Sequence, residues 1–380
     1  MTDPAPIRNA NSRRTRSAYH RVVRTLLAGV ALATMLLVSV AGAASGTPRQ
    51  RVRKTSGPVL ALAADGQRAA FIVEGRVKEC TSVMVWDPAH RRINRLQSGG
   101  AKCESSDRLN RRGMPSVAIA GSRVAWLQLT GGNNLETIIF TATLARPKPV
   151  WLAYGAAADG VAGSFVRRPF GDGSLLAFTE ETRCHPDYGD GCPPGRQPGD
   201  ITEAIVWRVG GTSRCPSGPV ASRLKCSAVA RADSELTVLA VDAGRIAVRT
   251  HTGVRLYTAA GRVLRDIDIK PVAAAALSGN RLVMRDNDGF VIYDTRTGKL
   301  DSSLPGSEGQ RLDDLERGIV VIAEGGTVGL RRLPDAGGGT GTIRAGRPAL
   351  AQLERPGLFV AGARRVRFLP MRDVVRRLGR

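Results

Sequence analysis

The chain has 380 residues, with 56 Lys plus Arg against 33 Asp plus Glu, a formal net charge of +23 and 4% aromatic residues. That length lets one domain bury around three-quarters of the surface its unfolded chain would expose, and so few aromatics exclude an extended platform for stacking sugars. The cations are 49 arginines and seven lysines, scattered singly or in pairs such as Arg91-Arg92, Arg331-Arg332 and Arg364-Arg365. Scattered charge of this kind reads as a solvated basic surface, able to attract anionic envelope polymers or lipid head groups, with no nucleic-acid partner.

In chain order, residues 1–43 read as a signal peptide. Arg8, Arg13, Arg14, Arg16, Arg21 and Arg24 form a basic leader, Leu26 to Val40 carries no charge, and Ala41-Gly42-Ala43 offers a small-x-small cleavage site. Continued to Ala44, the apolar run approaches the roughly 20 residues that span a bilayer, so an uncleaved amino-terminal anchor is the alternative and the only membrane contact expected. Loss of six arginines and Asp3 with the leader lowers the net charge from +23 to +18. A secreted or envelope-associated location is expected, and the six cysteines agree with an oxidising compartment. The simplest of their pairings is local: Cys80 with Cys103, Cys184 with Cys192, and Cys215 with Cys226.

Residues 44–380 are expected to form a single domain built from one recurring unit, a glycine turn followed at once by an apolar strand. The turn glycines are Gly66, Gly121, Gly173, Gly244, Gly279, Gly318 and Gly357. Their spacings are 55, 52, 71, 35, 39 and 39 residues, a period that signals a propeller or solenoid. Val272 to Lys299 is the plainest copy: VAAAAL, a turn at Ser278-Gly279-Asn280, Arg281 to Arg285, a turn at Asn287-Asp288-Gly289, then Phe290 to Tyr293. Second β-rich runs follow in every copy, from Ser82–Asp87 to Val366–Leu369, and a weaker fourth run follows in several. Four short antiparallel strands per copy make a propeller blade, so the fold class is all-β, a single β-propeller of four-stranded antiparallel blades, with seven blades expected and six as the alternative. Only Met371 to Leu378 suggests a last helical turn.

Ala64-Asp65-Gly66-Gln67-Arg68-Ala69-Ala70-Phe71 followed by Val83-Met84-Val85-Trp86-Asp87 resembles the repeat of TolB-like and WD-repeat-like exported propellers, where an acidic-Gly turn precedes an apolar strand and an aromatic-Asp pair ends the next. The resemblance covers the mature chain loosely and the first copy best. It implies a propeller fold and a binding role of unspecified ligand.

Chemistry-bearing motifs are scarce. No G-x-S-x-G, H-E-x-x-H or Walker-type motif occurs, and Gly337 to Gly341 lacks the G-K-[ST] ending of a phosphate loop. His90, His185 and His251 fall in turns of different copies, and Trp86, Trp126 and Trp207 sit in apolar strands as core. Within the Cys184–Cys192 loop, Asp187 and Asp190 are calcium candidates, although tight stapled turns use the same residues. Asp286-Asn287-Asp288-Gly289 reads as a hairpin turn. No catalytic residue and no cofactor are assigned. The expected function is therefore an exported, monomeric, non-enzymatic binding or scaffold module for an unknown protein or anionic envelope polymer, with the long loops of the third copy the first place to look. The alternative is a propeller enzyme of quinoprotein or lyase type with its site at the central channel. Histidines or carboxylates gathered from three or more blades at the channel mouth, within a few ångströms of one another, would favour that alternative and displace the binding reading.

Overall fold

The computed structural model describes residues 50–74, 81–98, 111–131, 134–158, 161–187, 191–219, 222–269 and 272–379. The proposed leader, Cys80, Cys103, Asp190 and the inserted segment 99–110 lie outside the described residues. Arg49–Arg380 form one compact unit.

After β1 (Arg51–Lys54), the chain lays down antiparallel meanders in succession. The first comprises β2 (Val59–Asp65), β3 (Arg68–Glu74), β4 (Thr81–Asp87) and β5 (Arg92–Ser98). The second is β6 (Arg111–Ala120), β7 (Arg123–Thr130), β8 (Leu135–Thr143) and the long β9 (Arg146–Ala158). In the third, β10 (Ala162–Val166) and β11 (Phe170–Asp172) both pair with β12 (Leu175–Arg183), followed by β13 (Ile201–Arg214) and β14 (Lys225–Ala232). Because β10 also pairs with β9, the second and third meanders join into one nine-stranded sheet.

The remaining units are plain. The fourth holds β15 (Leu236–Asp242), β16 (Arg245–Thr250), β17 (Gly253–Thr258) and β18 (Val263–Asp268). The fifth holds β19 (Ala274–Ser278), β20 (Arg281–Arg285), β21 (Gly289–Asp294) and β22 (Leu300–Pro305), and the sixth β23 (Arg311–Glu316), β24 (Ile319–Glu324), β25 (Thr327–Arg332) and β26 (Thr340–Arg344). The last has β27 (Leu350–Glu354), β28 (Gly357–Gly362) and β29 (Arg365–Pro370), then α1 (Met371–Leu378). Its fourth strand is β1, which pairs with β29 from Arg51↔Phe368 to Lys54↔Arg365. The amino-terminal strand thus completes the carboxy-terminal sheet.

Each strand's composition follows from its distance to the axis. Second strands are sandwiched between neighbouring sheets and read as unbroken apolar runs, as in Ile319–Glu324, where five successive residues are buried. Fourth strands lie at the periphery and are mostly exposed, as in Val263–Asp268, where Ile267 alone is buried. Innermost strands crowd round the axis and use small side chains: Ala61, Ala63, Ala118, Ala240, Ala274 to Ala276 and Ala351 line the channel. Between successive sheets lie separate apolar cores, and the last of them joins the ends of the ring, with Phe71 and Trp86 of the first meander against Phe359 and Phe368 of the last. Closure of this kind leaves no long exposed edge, so the chain is an all-β propeller.

The turn after each innermost strand has two residues and is set by glycine. Gly66, Gly121, Gly173 and Gly279 take its first position with φ of 54° to 58°. At Ala243-Gly244 and Arg317-Gly318 both residues have positive φ, the pattern of a type I′ turn. Gly357 departs from the expectation: the turn there is Arg355-Pro356, and Gly357 opens β28. A Cβ at Gly357 would sit 2.1 Å from the Leu369 carbonyl oxygen, so glycine is required by close strand approach instead.

Candidate functional site

The innermost strands all run the same way, so every one of these turns comes to the same mouth of the channel. There they enclose a cavity of about 1100 Å³. Its rim is acidic because the residue closing the innermost strand is a carboxylate in five units: Asp65, Asp172, Asp242, Glu316 and Glu354. Ala120 and Ser278 hold the equivalent positions in the other two. Asp294, Asp301 and Asp335 add charge from connections farther out, and Arg245, Arg281, Arg317 and Arg355 oppose it. Eight carboxylates against four guanidiniums give the lining a formal charge of −4, in a chain whose total is +23.

The rim carboxylates clasp neighbouring units. Glu354 Oε2 accepts from the Gly66 amide at 3.1 Å, Asp65 accepts from the Gly121 amide, Asp172 Oδ2 accepts from the Ala243 amide at 2.7 Å, and the Ser278 hydroxyl donates to Glu316 Oε2 at 2.7 Å. Asp242 is bound by Arg245 within its own unit, and Arg281 pairs with Asp335. A turn amide has no ladder partner, so a carboxylate that reaches across satisfies it and fixes the next unit at once.

Crowding perturbs the acids. Burial, then the negative charges of Asp314, Asp65 and Asp172, push the Glu354 carboxyl up to about 9. Asp65 is raised by burial and by Asp172, and Asp242 by burial and by Asp172 and Glu316. Asp294, on the outer rim, is instead lowered, chiefly by hydrogen bonds from the Thr297 and Arg296 amides at 2.8 and 2.7 Å.

Carboxylates from five units therefore line one mouth. Among the described residues no histidine joins them: His90 is bound to Asp87 at 2.9 Å, His185 lies 3.6 Å from Asp187, and His251 is exposed on another turn. Among the described residues, no three His, Cys, Asp or Glu side chains are placed to share a metal ion.

The stapled loops of the third unit lie apart from the cavity lining. Cys184–Cys192 and Cys215–Cys226 are disulfides. Asp187, one of the two calcium candidates, has a largely exposed carboxylate beside His185, while Asp190 lies outside the described residues. Asp286 caps its own turn, accepting from the Asp288 and Gly289 amides at 3.0 and 2.7 Å. Trp86 and Trp126 are core, and Trp207 donates its indole N–H to Glu180 at 2.8 Å. The acidic residue before the turn was the informative signal, visible as AADG, FGDG, VDAG, LERG and LERPG.

No family model matches the chain, and no curated protein matches it in sequence. Among solved structures, it is similar to Sqt1 of Saccharomyces cerevisiae at 8% identity, covering 84% of this chain and 97% of that one, with a TM-score of 0.44. BamB from Moraxella catarrhalis is similar at 11% identity over 82% and 85%, with a TM-score of 0.43. An oligogalacturonate lyase in complex with manganese is similar at 10% identity over 81% and 88%, with a TM-score of 0.45. Nothing about ligand or activity passes to this chain from likenesses at that level.

Proposed function

We propose that this chain is an exported, non-enzymatic binding or scaffold module of the cell envelope that takes a cationic group at the acidic mouth of its channel. The supporting observation is the acidic lining, formally −4 and −3 with Glu354 protonated, in a chain of net charge +23. Carboxylates already forced together, with Glu354 driven to about 9, are relieved by a ligand that brings positive charge. Two disulfides and the apolar leader support export. Arginines on the outer surface suit attachment to anionic polymer, while the mouth stays free for its ligand.

The test is equilibrium binding of an oligo-arginine peptide to the purified chain, at low and high salt, beside the D172N/E316Q double variant. Both substitutions keep an acceptor oxygen and remove charge. Affinity lower by about tenfold in the variant, the order of one or two lost charge contacts, upholds the reading. Equal affinity, or none in the wild type, sinks it.

The second reading is an enzyme at the same mouth, favoured by one observation: Glu354 is held protonated at neutral pH beside ionisable Asp65, as a general acid requires. Turnover of an oligosaccharide or peptide substrate that E354Q abolishes, with the melting temperature unchanged, would establish it over the binding role.

A further inference from the structure

The opposite mouth of the channel carries the other sign. All innermost strands start there, and the charged residues lining the cavity behind it, about 690 Å³, are Arg168, Arg285 and Arg311 from three units with Asp313 and Asp314. Desolvation by the surrounding wall, then the charge of nearby Arg249, lowers the pKa of Arg168, although its side chain stays exposed to solvent.

Three of these four guanidiniums are already engaged. Arg311 binds Asp313 at 2.6 Å and the Ala349 carbonyl at 2.7 Å. Arg249 pairs with Glu235 and donates to the Val272 carbonyl at 3.0 Å. Arg285 donates to the Gly289 carbonyl at 2.8 Å and packs on Phe290. Arg168 differs: among the described residues no carboxylate lies within ion-pairing distance of it. Its guanidinium instead rests on the Phe170 ring, 4.5 Å from the centroid.

We propose that this mouth binds an anion, a phosphate or carboxylate group, on Arg168. A guanidinium stacked on an aromatic ring is held in plane with its N–H fork free, and that fork matches the paired oxygens of either group. Pro169, next in the chain, restricts the backbone of Arg168 to extended conformations, so the side chain is delivered from a stiff segment. Across the ring, three carboxylates, Glu235, Asp313 and Asp314, face four guanidiniums, and burial pushes Asp314 up to about 8, so it is neutral at pH 7 and positive charge is left for a ligand to neutralise. The channel is then dipolar, cation-seeking at the turn end and anion-seeking at the strand-start end.

Calorimetric titration of the purified full chain with inorganic phosphate, and separately with short-chain polyphosphate, tests this. R168A is the probe, R168K keeps charge without the fork, and R255A on the outer strand β17 is the control for general basic charge. Affinity is expected to fall about tenfold or more in R168A, the order for a lost charge-assisted hydrogen bond, to fall less in R168K and to stay level in R255A. Melting temperatures of all four proteins exclude misfolding. Binding of both probes identifies a free phosphate group as sufficient, and binding of polyphosphate alone identifies a polymer, provided R168A abolishes either. Equal binding by R168A and wild type, or no binding of either probe by the wild type, overturns the proposal. D172N/E316Q leaves this binding intact, so the failure of one mouth is separable from that of the other.

Discussion

Glu354 accepts a hydrogen bond from the backbone amide of Gly66 at 3.1 Å, although the two residues are 288 positions apart. One ends the innermost strand of the last unit and the other turns the first, so the bond lies across the seam of the ring. At neutral pH Glu354 is protonated, since burial and neighbouring charges push it to about 9, and its role in the clasp needs an acceptor oxygen, not a charge. E354Q should therefore unfold in urea within about 0.5 kcal/mol of wild type, whereas E354A, which orphans the Gly66 amide, should lose about 1–2 kcal/mol. Equal losses in the two variants would show that charge holds the seam.

Asp314 makes stability fall with rising pH. It accepts from the Leu315 and Leu353 amides at 2.8 and 2.6 Å, yet burial first, then the charges of Asp313 and Glu316, push it up to about 8. The folded chain thus keeps a proton that the unfolded chain releases near 3.8, and the stability this confers is complete below that value and lost as pH rises through about 8. Glu354 acts in the same sense up to about 9. One side of Asp314 reaches the water of the channel, which moderates the effect. The melting temperature should drop between pH 6 and pH 9, and D314N, which cannot ionise, should flatten that drop. An unchanged slope in D314N would assign the pH dependence elsewhere.

The strands were legible because each copy pairs apolar periodicity with turn glycine, and local chemistry alone decides both. Val272 to Lys299 shows it: Ala274–Ser278, Arg281–Arg285 and Gly289–Asp294 fall within a residue or two of the expected runs. The acidic rim was not legible as a site. Asp65 and Glu354 become neighbours only when the ring closes, and no local pattern records closure. Nor does β1 announce itself: Arg51–Lys54 is polar and mostly exposed, its only structural signal being the unpaired edge of β29 at the far end of the chain. Attention to the third unit's long loops followed from their length, but their disulfides staple those loops away from the channel.

The two disulfides should differ in worth. Cys215 and Cys226 are 4% and 0% exposed and pack with Leu152, Val166 and Phe178, so their removal costs both the crosslink and core packing. Cys184 is buried but its partner Cys192 is only half-buried. C215A/C226A should lose about 3 kcal/mol, the chain-entropy value for a loop of this size, plus the cost of a cavity. C184A/C192A should lose less, despite a similar sequence separation of 8 against 11. Urea unfolding of each variant, with and without reductant, ranks them; the reverse order would mean that the Cys184–Cys192 staple orders more of the third unit than its contacts suggest.

Removal of β1 should open the ring from outside while leaving its axis intact. Among the described residues the strand contributes none to an apolar core, and Val52 is 54% exposed, so its hold on β29 rests on backbone pairing over Arg51–Lys54. A chain beginning after Lys54 should lose about 2–4 kcal/mol, on the order of 1 kcal/mol per lost ladder hydrogen bond. It should also self-associate through the exposed edge of Arg365–Pro370. Light scattering reads the association, and thermal melts read the loss. Because pairing and not side-chain burial holds the strand, a free peptide of residues 50–56 should bind the shortened chain, return it to monomer and raise its melting temperature, while a version with proline at Val52 and Lys54 should not. Rescue by the proline peptide would sink the pairing account and leave charge attraction between Arg51, Arg53 and the surrounding surface as the cause.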